Sequence, residues 1–160
     1  MRLLAVCFCL FLAALPLQAQ WLPEKKFLSR DGVVATIESF WVMDCKVKDK
    51  KILWGSVLIE NSTDASFAIK EVSLSDGKSV APAMTQEEIK KALGGGGLVE
   101  KLLSLTDLVK SSMAASNIKG QEVPPKQKGY FTASFLIPKK SPPSEFTLTI
   151  GDIGSVVLKK

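Results

Sequence analysis

The chain has 160 residues, with 21 Lys+Arg against 16 Asp+Glu, three Cys and no His, and 46% of its residues are apolar. The length suggests one domain. The apolar fraction excludes a wholly disordered chain, and 23% charged residues exclude a coiled-coil rod. The lack of His excludes Ser-His-Asp and Cys-His dyads and His-ligated zinc or haem.

The first residues read as an address. Arg2 gives a positive start, Leu3 to Leu15 is an unbroken apolar run, Pro16 breaks it, and Leu17-Gln18-Ala19 supplies small or apolar residues before a cleavage point. This is the layout of a secretory signal peptide over residues 1–19. The run is shorter than the roughly 20 residues that span a bilayer. An uncleaved N-terminal anchor is the alternative. Cys7 and Cys9 fall inside the signal, so one thiol, Cys45, remains. Gln20 and Trp21 follow Ala19, so the Cys that a lipid anchor requires is missing there. Cleavage removes Arg2 and no acid, leaving 20 Lys+Arg against 16 Asp+Glu, or +4. The expected location is periplasmic or extracellular, with no stable membrane span after cleavage.

Residues 20–31 lack a clear period and read as a leader, with the domain proper at 32–160. Val33 begins a strand that runs to about Val42, with a phase shift near Phe40-Trp41 that indicates a bulge. Lys46 to Lys51 is a charged turn; it and the pairs Lys90-Lys91, Lys139-Lys140 and Lys159-Lys160 read as a solvated turn and strand ends, with binding to acidic surface polymer or lipid headgroups as the alternative. Ile52 to Glu60 is a second strand; Leu53, Val57 and Ile59 share one face, and Ile52, Trp54 and Leu58 the other. Apolar residues on both faces mean a central strand or one covered on its back. Asn61-Ser62-Thr63-Asp64 is a turn by composition, and its formal glycosylation sequon needs no further explanation. Phe67 to Leu74 is a third strand, Ser75-Asp76-Gly77-Lys78 a hairpin turn, and Val80-Ala81 a short strand before Pro82.

Helical signals interrupt the strands at about 83–119. Thr85 with Glu88 fits a capping box for a helix from Gln86 to Leu93, ended by Gly94 to Gly97. A second helix is expected from Leu98 to Ala115, its stripe formed by Leu98, Leu102, Leu105, Val109 and Met113. This stripe packs on the sheet edge or contacts a partner, and those five residues are the candidate partner-binding set. Gly120 closes the helical segment. Strands resume at Glu122-Val123, Tyr130 to Ile137, Phe146 to Ile150 and Val156 to Leu158. Seven or eight short strands with regular turns indicate a mainly β, antiparallel sandwich with an inserted helical hairpin.

The punctuation resembles that of bacterial secreted immunoglobulin-like domains of unknown function. The pieces are Val57-Leu58-Ile59-Glu60-Asn61-Ser62-Thr63, Leu74-Ser75-Asp76-Gly77, Pro124-Pro125-Lys126-Gln127-Lys128-Gly129 and Phe135-Leu136-Ile137-Pro138. The resemblance implies an immunoglobulin-like sandwich. Its members are often lipid-anchored, and here the anchoring Cys is lacking.

The chemistry offered is sparse. Gly94 to Gly97 lacks the Lys and Ser/Thr of a phosphate loop, with Leu98-Val99 in their place. Cys45 has no His to activate it, Glu87 and Glu88 point about 100° apart on a helix, and no calcium loop occurs. No catalytic, metal or cofactor residue is assigned, and no nucleic-acid partner is expected from Lys scattered along the chain. The reading is an exported, non-enzymatic module binding a protein or cell-envelope partner. A small apolar ligand carrier or a periplasmic assembly chaperone is the alternative, and an enzyme comes third.

Overall fold

A computed structural model describes residues 20–94 and 116–160. The chain folds as antiparallel β-structure with one short helix among these residues. The strands are β1 (Gln20–Pro23), β2 (Phe27–Arg30), β3 (Val33–Asp44), β4 (Lys50–Asn61), β5 (Phe67–Ala68), β6 (Val72–Ser75) and β7 (Val80–Pro82). Helix α1 (Gln86–Leu93) follows, then β8 (Ser116–Asn117), β9 (Glu122–Val123), β10 (Lys128–Pro138), β11 (Glu145–Ile150) and β12 (Gly154–Lys159). The 10-stranded sheet runs β7-β6-β11-β12-β1-β3-β4-β10-β8, with β2 also paired to β3; β5 and β9 form a separate 2-stranded ladder.

The long strands β3, β4 and β10 are adjacent, and alternation sets their inward face. Val33, Ala35 and Ile37 of β3, Leu53, Val57 and Ile59 of β4, and Phe131, Ala133, Phe135 and Ile137 of β10 enter one core. The bulge expected in β3 lies between Ile37 and Phe40, where the register against β4 shifts. It returns Phe40 and Val42 to the inside after the phase change. Phe40 then lies over Gly55, where a Cβ would sit 2.6 Å from the aromatic ring. Only glycine leaves room for that ring.

The sheet curls until its edges nearly meet. Beyond β7, the Met84 N–H donates to the Ser134 carbonyl of β10 at 2.8 Å, and the Asn117 side-chain amide donates to the Met84 carbonyl. At the other junction, β1 belongs to both halves. Gln20 and Trp21 pair with Trp41 and Phe40 of β3, while Leu22 and Pro23 pair with Lys159 and Leu158 of β12. The result is a nearly closed, barrel-like sheet.

Three expectations are corrected. The stretch 20–31, taken as a leader, is instead β1 and β2, and Trp21 is fully buried against Phe146. A strand that changes neighbours halfway cannot show one alternation period, so it reads as irregular. The single strand expected from Phe67 to Leu74 is two, because Ile69 N–H bonds to Gln121 on the β9 side while Val72 pairs with Ile150 of β11. The helical insertion does not reach 119: Ser116 and Asn117 pair in parallel with β10, and Gly120 (φ 73°) turns the chain towards β9. Its first part is as expected, α1 spanning Gln86–Leu93. The signal segment 1–19, the second helix and its residues Leu98, Leu102, Leu105, Val109 and Met113 lie outside the described residues. Among the described residues no helix is long and apolar enough to cross a membrane.

Candidate functional site

The most site-like feature is the place where α1 meets the outside of the sheet. Ile52, whose face points away from the main core, is buried there with Met84 and Ala92. Met43, Cys45, Trp54, Ile89, Leu93 and Leu136 pack around them. This explains Ile52 and Trp54 on the second face of β4: the helix covers that part of its back. Cys45 is half-buried at the margin, its Sγ 3.4 Å from the Lys50 carbonyl oxygen.

The helix is anchored at both ends. Thr85 Oγ1 accepts from the Glu88 N–H at 3.2 Å, and the Glu88 carboxylate accepts from the Thr85 N–H at 2.6 Å. These bonds hold the Glu88 carboxyl below its ordinary pKa, the Thr85 N–H contributing most. At the other end Gly94 adopts φ 92°, and its N–H returns to Lys90 and Lys91. The Lys46 side chain fills the space that a Cβ on Gly94 would take. Lys90 and Lys91 in the last turn complement the helix dipole.

Backbone bonds then draw three distant segments together. The Lys46 N–H donates to the Ala92 carbonyl at 2.7 Å, joining the β3–β4 turn to the end of α1. The Lys139 N–H donates to the Asp49 carbonyl at 3.0 Å, joining the same turn to the chain leaving β10. Lys46, Lys48, Lys50, Lys51, Lys90, Lys91, Lys139 and Lys140 thereby share one corner. All but Lys51 are exposed. Among the described residues only Lys51 has an ion-pair partner there, Asp44 at 3.3 Å. Against these eight lysines stand Asp44, Asp49, Glu87 and Glu88, a local balance of +4. The other ten Lys/Arg and ten Asp/Glu of the described residues cancel. The whole net charge of this part of the chain therefore sits at one corner.

An open groove of about 300 Å³ lies within that corner, lined by Val47, Ala81, Pro82, Met84, Ala92 and Leu136, with Glu88 and Lys91 also on its wall. Val47, between Lys46 and Lys48, is 37% exposed. The arrangement is an apolar slot in a cationic surround. It suits a partner that is both apolar and anionic.

The opposite end differs. A second cavity of about 250 Å³ is lined by Arg30, Asp31, Thr63, Phe67, Asp152 and Ile153, among others. Its cation is engaged: Arg30 pairs with Asp31 at 3.4 Å and donates to the Asp152 backbone carbonyl at 2.9 Å. Nearby, Lys126 pairs with Asp64 and Lys128 with Glu60, both at 3.0 Å. The sequon residue Asn61 is 2% exposed, and its amide donates to the carbonyls of Ala65, Val123 and Pro124. Its Oδ1 accepts from the Thr63 N–H and hydroxyl. The expected turn is there, and its Asn side chain is the centre of it.

Among the described residues two other groups have displaced pKa values, each with a local cause. Asp76 is lowered by the Ser79 and Lys78 N–H groups of its hairpin turn, and Lys159 is raised by its bond to Glu24, with Glu145 adding to it. Among the described residues no group of three or more Cys, Asp or Glu is placed to hold a metal ion. Within Gly94–Gly97, Gly94 is a helix cap, and the remainder lies outside the described residues.

The lysine corner was invisible as a unit in the sequence. Each cluster alone reads as a solvated turn or strand end, and nothing in their spacing says that residues 46, 91 and 139 meet. Strand order would have been the signal, because β10 runs antiparallel to β4 with Pro138 opposite Lys50.

No protein-family model matches the chain, and the search of curated proteins gave no match. Two solved structures share the fold. A conserved hypothetical protein from Bacillus anthracis superposes with a TM-score of 0.57 at 9% identity, covering 89% of this chain and 97% of that one. A candidate lipoprotein from Bacillus subtilis gives a TM-score of 0.53 at 12% identity over 86% of this chain. The chain spans only 38% of that second protein's length. At such identities the likeness is one of fold alone.

Proposed function

We propose that this chain is an exported, non-enzymatic module that binds a protein or cell-envelope partner through its lysine-rich corner. The observation that carries the reading is the coincidence, at one place, of the net charge of the described residues and an open apolar groove. Surface lysines that served solubility alone would be spread, as the other charges are. Export is supported by the charged start, apolar run and break of residues 1–19, and agrees with a fold shared with a candidate lipoprotein. In this reading the two halves of the sheet, β3-β4-β10 and β6-β11-β12, act as the facing layers of an immunoglobulin-like sandwich joined by β1.

Cells expressing the full chain provide the test. After fractionation, the protein should sediment with the envelope, and replacing Lys48, Lys139 and Lys140 with Glu should release it while its circular dichroism is unchanged. Unchanged sedimentation would sink the proposal. The groove also favours a second reading, a carrier of small apolar ligands. In that case an apolar fluorescent probe binds saturably, and Ala81→Phe, on the half-buried wall of the slot, removes the signal.

A further inference from the structure

The composition of the corner narrows the partner. All eight cations are Lys, with no Arg and no aromatic residue among those that line the groove. Nucleic-acid surfaces read bases and stack them with Arg and aromatic side chains. Protein interfaces concentrate their energy in Trp, Tyr and Arg and are depleted in Lys. Lysine is a mobile, strongly hydrated point charge that suits a diffuse anionic layer rather than a planar bidentate partner. The centre of the corner is aliphatic: Val47, 37% exposed on the β3–β4 turn between Lys46 and Lys48, lines the groove with Ala, Pro, Met and Leu. An aliphatic groove edge flanked by lysines matches a surface with charge outside and hydrocarbon within.

We infer that the corner docks on an anionic lipid bilayer. Val47 enters between the headgroups, and Lys46, Lys48, Lys90, Lys91, Lys139 and Lys140 meet their phosphates. This rests on the partner-binding reading above and names the partner. Attraction of about 1 kcal/mol per lysine near an anionic surface, or roughly fivefold in affinity each, makes binding additive over the cluster and sensitive to salt.

The test is flotation of the protein recovered from cells expressing the full chain, with vesicles of phosphatidylcholine alone or mixed with phosphatidylglycerol. Binding should require phosphatidylglycerol and fall as salt is raised. Changing Lys48, Lys139 and Lys140 together to Gln should weaken it on the order of a hundredfold. Val47→Asp should weaken it about fivefold with the lysines intact. Lys126→Gln with Lys128→Gln, at the paired end, should change nothing. Equal binding to both vesicle types, or equal loss in the Lys126/Lys128 control, overturns the inference. If the lysines are needed for envelope sedimentation in cells but neither vesicle binds, the partner is a protein; the lipid inference then falls and the proposed function stands. If the lysines are not needed in cells, the proposed function itself falls.

Discussion

The two ends of this domain spend their polar groups differently. Around Asn61, charges are matched and the buried amide closes a knot of five hydrogen bonds that ties β4, the following turn and the segment after β9. At the lysine corner, backbone bonds and the apolar cluster of Ile52, Met84 and Ala92 hold the segments together, and all the lysines but Lys51 are exposed. One end uses its side chains to specify the fold. The other uses main chain, a helix cap and buried apolar side chains for that purpose, so its lysines are free to vary, or to bind.

The sharpest way to break this contrast is at Asn61. Asn61→Ala removes five hydrogen bonds, the one to the Val123 carbonyl in a buried setting, while the Ala65 and Pro124 carbonyls keep the Thr63 hydroxyl and the Gln127 N–H, and should cost about 1–3 kcal/mol in urea denaturation. A loss below about 1 kcal/mol would show that the knot does not specify the fold. Next comes the core between the two ends. Gly55→Ala forces the buried Phe40 ring to move and should cost about 1–3 kcal/mol, also read in urea.

A smaller effect belongs to the helix that walls the groove. Thr85→Ala removes the cap and should cost about 1 kcal/mol. The Glu88 half of the same box makes this pH-dependent. Its carboxyl is held below the ordinary value in the fold, so its contribution is fully present above the unfolded value and is lost as pH falls through the folded one. Stability curves of the parent and Glu88→Gln should therefore differ at neutral pH and converge in acid; a gap that persists in acid would assign the effect to packing.

The smallest effect is the most telling. Lys48→Gln, Lys139→Gln and Lys140→Gln should each leave stability within about 0.5 kcal/mol, because none has an ion-pair partner among the described residues. A clear loss would mean that the corner is structural after all.

Much of the local structure was legible from the sequence because it follows from near neighbours. The alternation of Phe131, Ala133, Phe135 and Ile137, the Asp76-Gly77 turn, the phase change before Phe40 and the Thr85–Glu88 box each depend on a few adjacent residues, and each is found in place. Residues 20–31 were misread because their pattern serves two partners: Trp21 faces the core beside β3, while Pro23 lies opposite Leu158 of β12. The break between Ala68 and Val72 has the same origin, two short stretches recruited by different neighbours.

The sequence by itself determined which residues face inward along the long strands, where the Asn61 and Asp76-Gly77 turns fall and how α1 begins and ends, since all of these are governed by steric and hydrogen-bonding preferences within a few residues. Only the tertiary structure decided that the sheet curls until Met84 reaches Ser134, that α1 covers part of the back of β4, and that lysines from residues 46, 91 and 139 converge. Those outcomes depend on which strands pair across long stretches of chain, and pairing over that distance is set by burial of the whole core rather than by any local pattern.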